Sequence, residues 1–248
     1  MILNMEEIDQ NNLPKHIAII LDGNRRWAKN HGLTTFQGHT EGFDNLERIA
    51  KFANKIGIKY LTVYAFSTEN WKRSKDEVAW LMRIFKNNVD RYLERKDTEN
   101  IKIRIIGEKE NIPNDLVPRI EKITEKTKNN TGLTLNICFN YGGRAEITHA
   151  CKVIAEKVKN GELNIDDINE NLISDNIYTA GQPDPDLMIR TSHELRTSNF
   201  LPWQLTYSEF YFPDKFWPEF SEEDLLESIK IYQGRNRRFG GRPDEVKK

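Results

Sequence analysis

Six short apolar runs, separated by stretches of helical periodicity, most constrain what this chain can fold into. The runs cover residues 15–21, 60–66, 101–106, 133–139, 186–190 and 209–212. Each has the length of a strand and is bounded by turn-forming or polar residues. Between them, Phe43, Leu46, Ile49, Ala50, Ala53 and Ile56 recur at helical spacing and stop before Gly57. Val78, Leu81, Met82, Phe85, Val89, Tyr92 and Leu93 do the same over a longer span. Residues 145–158 form a third helical pattern and 221–239 a fourth, opened by Ser221 with Asp224 in its first turn. This alternation predicts an α/β fold with a single central, mostly parallel sheet flanked by helices. Ligands in such sheets bind beyond the carboxyl ends of the strands.

Polar clusters fall at those ends. The run Ile17 to Leu21 stops at Asp22, Gly23 and Asn24, followed by Arg25, Arg26 and Trp27. A carboxylate can hold a hard cation through oxygen. Gly23 lets backbone N–H groups come close to phosphate, and the two arginines offer forked donors to its oxygens. The segment also fits an ordinary strand–turn–helix with Asp22 or Asn24 as N-cap. Further clusters lie at 67–73, 140–144 and 189–199, with His39 in the Gly38 to Gly42 segment.

Bulk properties narrow the classes. The chain has 248 residues, enough to bury a sizeable core. No Ser/Gly-rich or low-complexity stretch divides it, so one domain over 1–248 is expected, with 1–13 flexible. Lys and Arg number 37 against 38 Asp and Glu, net −1. No global charge draws the chain to nucleic acid, so any anion site is a local cluster. Cys138 and Cys151 have no metal-thiolate spacing, and Cys138 sits in an apolar strand pattern as a small core residue. The first twelve residues lack the apolar core of a secretion signal, and no run approaches the ~18 residues of a spanning helix. A cytoplasmic protein, able to touch a membrane surface, is expected.

Taken together and in order, the four clusters and His39 resemble the cis-prenyltransferase family over residues 14–241. The resemblance implies an elongated hydrophobic tunnel beside the sheet, walled in part by the 78–93 helix, with Ala65 facing it. It implies a Mg²⁺-dependent enzyme that condenses isopentenyl diphosphate repeatedly onto an allylic diphosphate, farnesyl diphosphate above all. The product is a cis-polyprenyl diphosphate such as undecaprenyl diphosphate for lipid-carrier synthesis. It further implies a homodimer with transient membrane-surface contact for product release and no nucleic-acid partner. Carried over position by position, Asp22 and Asn70 are the catalytic residues, and Asp22 and Glu209 the metal-linked carboxylates. Gly23, Asn24, Arg25 and Arg26 cradle the allylic diphosphate, Trp27 packs beside the substrate, His39 contacts a phosphate and helps transfer a proton, and Ser67, Thr68, Glu69, Trp71 and Arg73 contact substrate. Arg190, Arg196, Thr197 and Ser198 form the isopentenyl diphosphate site, with Glu194 in the same loop. A neutral amide is a poor base, so Asn70 reads as an orienter of diphosphate or water.

Some positions depart from the family pattern. Thr35 stands where an arginine is usual, His193 where a glycine is, and Pro202 where a large apolar residue is. Residues 166–170 come close to the Asp-Asp-x-x-Asp motif of trans-prenyltransferases, but in one copy, and read as a capped helical start after Asn164. Ser74 reads as an N-cap ahead of Asp76 and Glu77. Glu209 also fits an edge-strand charge. The basic segment 235–242 looks like an RNA-binding tail but is short in a chain that is not basic. Two other readings remain: a non-catalytic subunit of the same fold, or one making a shorter or longer product. A phosphate-binding hydrolase would need a P-loop or a nucleophile elbow, and the sequence has neither.

Overall fold

The computed structural model describes residues 8–96 and 99–235. The six expected strands form one sheet: β1 (His16–Ile20), β2 (Tyr60–Ser67), β3 (Lys102–Ile106), β4 (Thr134–Tyr141), β5 (Leu187–Arg190) and β6 (Glu209–Tyr211). Their order is β3-β4-β2-β1-β5-β6, and every pairing is parallel. All five residues of β1 are buried, as expected of a central strand covered on both faces. Their alternation divides two cores. Ile17 and Ile19 enter the larger, with Phe52, Phe66, Phe85 and Trp217. Ala18 and Ile20 enter the smaller, with Tyr64, Cys138, Tyr141 and Phe200.

The helices are α1 (Asn24–Asn30), α2 (Thr35–Lys55), α3 (Lys75–Glu94), α4 (Val117–Thr127), α5 (Gly143–Lys159), α6 (Glu170–Ser174) and α7 (Glu222–Gln233). Ser74 and Ser221 cap α3 and α7 as expected, their hydroxyls accepting from the N–H groups of Glu77 and Asp224. Helix α2 begins eight residues before the apolar periodicity, at a capping box of Thr34 and Gln37. Asn164 caps a short 3-10 turn over Ile165–Asp167. The segment expected to be flexible packs from Ile8 onward: Ile8 is buried, and the Gln233 amide donates to the Asp9 and Asn12 carbonyls at 2.7 and 3.0 Å. Residues 1–7 and the basic segment beyond Arg235 lie outside the described residues.

β1 is the switch point of the sheet. The chain goes from β1 to β2 on one side and returns with β5 on the other. A crevice therefore opens beyond the carboxyl ends of β1 and β5. No helix among the described residues is long and apolar enough to cross a membrane.

Candidate active site

Asp22 stands just beyond β1, and its backbone is clamped before its side chain is considered. The Asp22 carbonyl accepts from the Thr191 hydroxyl at 2.7 Å and from the Trp217 N–H at 2.9 Å. Gly23 follows at φ +106°, a conformation that L side chains rarely adopt, and a Cβ there would lie 2.7 Å from Phe216 and 2.9 Å from the Ser192 hydroxyl. Gly23 itself is the residue before α1, with no side-chain cap, so neither Asp22 nor Asn24 is spent on that role.

The Asp22 carboxylate reaches across to β5. Its Oδ2 accepts from Arg190 Nη2 at 2.8 Å, and Oδ1 meets Arg26 at 3.4 Å. Arg190 is only 4% exposed, so its charge depends on these partners. Its Nη1 donates to the Ser198 hydroxyl at 2.8 Å and to the Arg196 carbonyl. Arg196 is exposed and pairs with Glu194, which also accepts from Arg26 at 3.2 Å. Asn24 Oδ1, Arg190 Nε and Ser192 Oγ are buried without a hydrogen-bond partner among the described residues. Buried polar atoms are normally satisfied, and these three gather around the carboxyl ends of β1 and β5.

A second ionic group stands on α2 and α3. Glu77, buried at the start of α3, accepts from Arg73 at 2.9 Å and lies 3.4 Å from His39 Nε2 and 3.8 Å from Arg25. Burial holds the His39 pKa below its ordinary value, and the Arg73 charge adds to this; Glu77 opposes it. His39 is therefore neutral near pH 7, free to donate from one ring nitrogen and accept at the other.

Members of both groups, though not Glu77 or Glu194, line one cavity of about 1270 Å³. Asp22, Gly23, Asn24, Arg25, Arg26, His39, Ser67, Glu69, Asn70, Arg73, Arg190, Arg196 and Ser198 all face it, and Phe43, Leu46 and Leu81 supply apolar wall. Asn70 Oδ1 accepts from the Ser67 N–H at 3.1 Å. A second cavity of about 90 Å³ lies beside α2 and α3 and shares Phe43 and Leu46 with the first; its lining includes Ala50, Phe85, Val89 and Ile103.

Five of the expected residues lie outside the large cavity's lining. Trp27 packs against His31, their tilted rings 4.5 Å apart. Trp71 packs on Phe66 and donates to Asn140 Oδ1 at 2.7 Å. Thr68 bonds Glu69, while Thr197 accepts the Phe200 N–H through its carbonyl. Glu209 lies on edge strand β6, opposite Leu187 in register, and accepts from Arg235 at 2.9 Å. Sequence reasoning passed over Glu77, read only as a helix-start acid, and over Asn199, Tyr64 and Thr191. Of the departures, Thr35 lines the cavity as the first residue of α2, and exposed His193 pairs with Asp214.

Residues 20–240 match the Prenyltransf family model, that of undecaprenyl diphosphate synthase. The chain belongs to that family. It is an enzyme of the prenyltransferase class, and its relatives agree over nearly full length. The ditrans,polycis-undecaprenyl-diphosphate synthase of Micrococcus luteus, described as (2E,6E)-farnesyl-diphosphate specific, is 50% identical over 92% of either chain. The isoprenyl transferase of Bacillus subtilis is 49% identical over 95% of this chain and 91% of its own. Lavandulyl diphosphate synthase from Lavandula x intermedia, solved with dimethylallyl diphosphate, superposes with a TM-score of 0.89 at 39% identity, covering 93% of this chain and 99% of that one. A prenyltransferase that handles diphosphates raises the question of a divalent metal. Among the described residues no cluster of three or more acidic, His or Cys side chains could hold one. Asp22, with Oδ1 only weakly engaged, is one carboxylate of the kind that suits Mg²⁺ shared with substrate phosphates.

Proposed function

We propose that this prenyltransferase is Mg²⁺-dependent and condenses isopentenyl diphosphate repeatedly onto farnesyl diphosphate, building a cis-polyprenyl diphosphate such as undecaprenyl diphosphate for lipid-carrier use. The observation that carries the proposal is the chain of contacts Asp22–Arg190–Ser198 at the β1/β5 switch point, opening on a cavity with an apolar wall.

Arg190, oriented by Asp22 and Ser198, forms with Arg196 a two-cation cup for isopentenyl diphosphate. Gly23, Asn24, Arg25 and Arg26, with His39 and Arg73, take the allylic diphosphate. Asn70, its carbonyl engaged by Ser67, keeps its amide N–H groups to orient diphosphate or water. Asp22 is the residue that would hold Mg²⁺ with the substrate diphosphates, and a bound metal would supply charge neutralisation for the departing diphosphate. The allylic C–O bond breaks and diphosphate departs, the olefin of isopentenyl diphosphate forms the new C–C bond at that carbon, and the resulting cation passes its proton to a diphosphate oxygen or water. The protein contributes donors fixed in place before the charge develops. The growing chain occupies an elongated hydrophobic tunnel past Ala65, between α2, α3 and the sheet, where the two cavities share their lining.

The remaining parts of the reading concern the whole molecule. The chain acts as one domain and as a cytoplasmic homodimer that contacts the membrane surface when product leaves. Glu209 serves across the dimer, which is consistent with its place outside its own chain's cavity. The test is release of inorganic diphosphate: it should need both substrates and Mg²⁺, and release from either substrate alone would reject the proposal.

A further inference from the structure

Asn199 joins three segments that the sequence keeps far apart. Its carbonyl accepts from the Gly143 N–H at 2.8 Å, and its Oδ1 accepts from the Arg144 N–H at 2.9 Å. These are the first two N–H groups of α5, whose own flanking residue Gly142 supplies no side-chain cap. Asn199 therefore caps α5 from another part of the chain. Its Nδ2 meanwhile donates to Glu69 Oε1 at 2.9 Å, just past β2.

The backbone is shaped for this task. Ser198, Asn199 and Leu201 have φ of +50°, +66° and +47°, and asparagine is among the non-glycine residues that tolerate this region best. The close approach also needs a glycine on the far side: a Cβ at Gly143 would lie 1.9 Å from Pro202 and 3.0 Å from the Asn199 carbonyl. The residue before Asn199 is Ser198, whose hydroxyl orients Arg190. The segment after β5 is thus tied across the ends of β1 and β2 to β4.

We infer that Asn199 is a positioning residue for the homoallylic substrate: by clasping α5 and Glu69 it holds Ser198, Arg190 and Arg196 in the shape of an anion cup. This rests on the reading of that cup as the isopentenyl diphosphate site. Asn199 acts through its neighbours, and small displacements of a binding constellation are costly.

The experiment measures kcat and the KM of each substrate for wild type, Arg196→Ala, Asn199→Ala, Asn199→Asp, Glu69→Gln and the double variant Asn199→Asp/Glu69→Gln. Asn199→Ala should raise the KM for isopentenyl diphosphate about tenfold, and change the allylic KM by less than about twofold. Asn199→Asp keeps the cap but sets a carboxylate against Glu69. It should be impaired in the same parameter relative to wild type, and adding Glu69→Gln should bring that KM to the level of the Glu69→Gln single variant, because the new amide donates back to Asp. A folded Asn199→Ala with an unmoved isopentenyl KM overturns the inference. So does failure of the double variant to return to the isopentenyl KM of the Glu69→Gln single variant, which is the reference because Glu69 lines the cavity, and this decides the matter even if Asn199→Ala does not fold. Arg196→Ala separates the two claims. If it too leaves that KM unmoved, the cup is assigned wrongly and the inference goes with it. If it raises that KM and no Asn199 variant does, the inference alone is overturned.

Discussion

Arg190 Nη2 donates to Asp22 Oδ2 at 2.8 Å, joining the carboxyl ends of two adjacent parallel strands through one buried guanidinium. The two residues are 168 positions apart in sequence. Their meeting sets a partly exposed carboxylate beside a buried guanidinium at the sheet's switch point.

Asp22→Asn should keep the fold, because the amide carbonyl can still accept from Arg190, while kcat falls by ~10²–10³ with loss of the charge. Asp22→Ala should also cost stability, since it strands a buried cation. Steady-state kinetics with a melting curve test both; near wild-type kcat for Asp22→Asn at saturating Mg²⁺ would remove Asp22 from the chemistry.

Arg196→Ala should raise the KM for isopentenyl diphosphate by one to two decades and leave the allylic KM nearly unchanged. A hydrogen bond to a charged group is worth ~1.5–3 kcal/mol. Arg196 is exposed and pairs only with Glu194 among the described residues, so little stability should be lost. Equal rises in both KM values would show that the two diphosphate sites are assigned wrongly.

Ala65→Leu should shorten the product. Ala65 lines the large cavity near the end of β2. Each added isoprene unit carries five carbons, worth up to ~4 kcal/mol when buried, and a leucine in their path opposes that gain. If Ala65 were only a packing position, the change would lower Tm by overpacking and leave chain length alone. Product distribution and Tm, read on the same preparation, separate the two outcomes.

Stability should rise with pH from about 4 to 6.5. Burial lowers His16 from 6.5 to about 4, against the raising effects of the Pro183 carbonyl and Asp186. In that window the unfolded chain binds a proton that the folded chain refuses, so folding is weakened as pH falls. The full effect, about 3 kcal/mol, is present only above 6.5. His16 sits between the Pro183 carbonyl and the Thr62 hydroxyl, each at 2.7 Å, which suits one neutral tautomer. His16→Asn should flatten the slope of Tm against pH between 4.5 and 6.5; an unchanged slope would place the titration elsewhere.

The strands were legible because all six carry short apolar runs, and β1 is apolar at nearly every position for the reason that it is covered on both faces. The start of α2 was not, because Gly38 and Gly42 read as breaks in a helix. A Cβ at 42 would lie 2.3 Å from Asn24 Oδ1, so that glycine serves the packing of α1 rather than a turn. Helix α4 is not legible either: it is short, its apolar stripe is narrow with only Ile123 and Thr127 buried, and Pro118 near its start reads as a break. At the site, the strand-end positions of Asp22, Arg190, Ser198 and Asn70 followed from the pattern of clusters. The roles of Glu77 and Asn199 did not. Each works by meeting segments 38 to 130 residues away, and no local spacing announces such contacts. Trp27 and Trp71 looked like substrate aromatics in sequence, and their partners His31, Phe66 and Asn140 are visible only in the fold.

The most direct test of the central claim is mass spectrometry of the lipid made from isopentenyl diphosphate, farnesyl diphosphate and Mg²⁺. The account predicts a ladder of diphosphates rising in five-carbon steps to a dominant long cis-polyprenyl product, lost in Asp22→Asn. Recovery of unextended farnesyl diphosphate from active-site-intact, folded protein would contradict it.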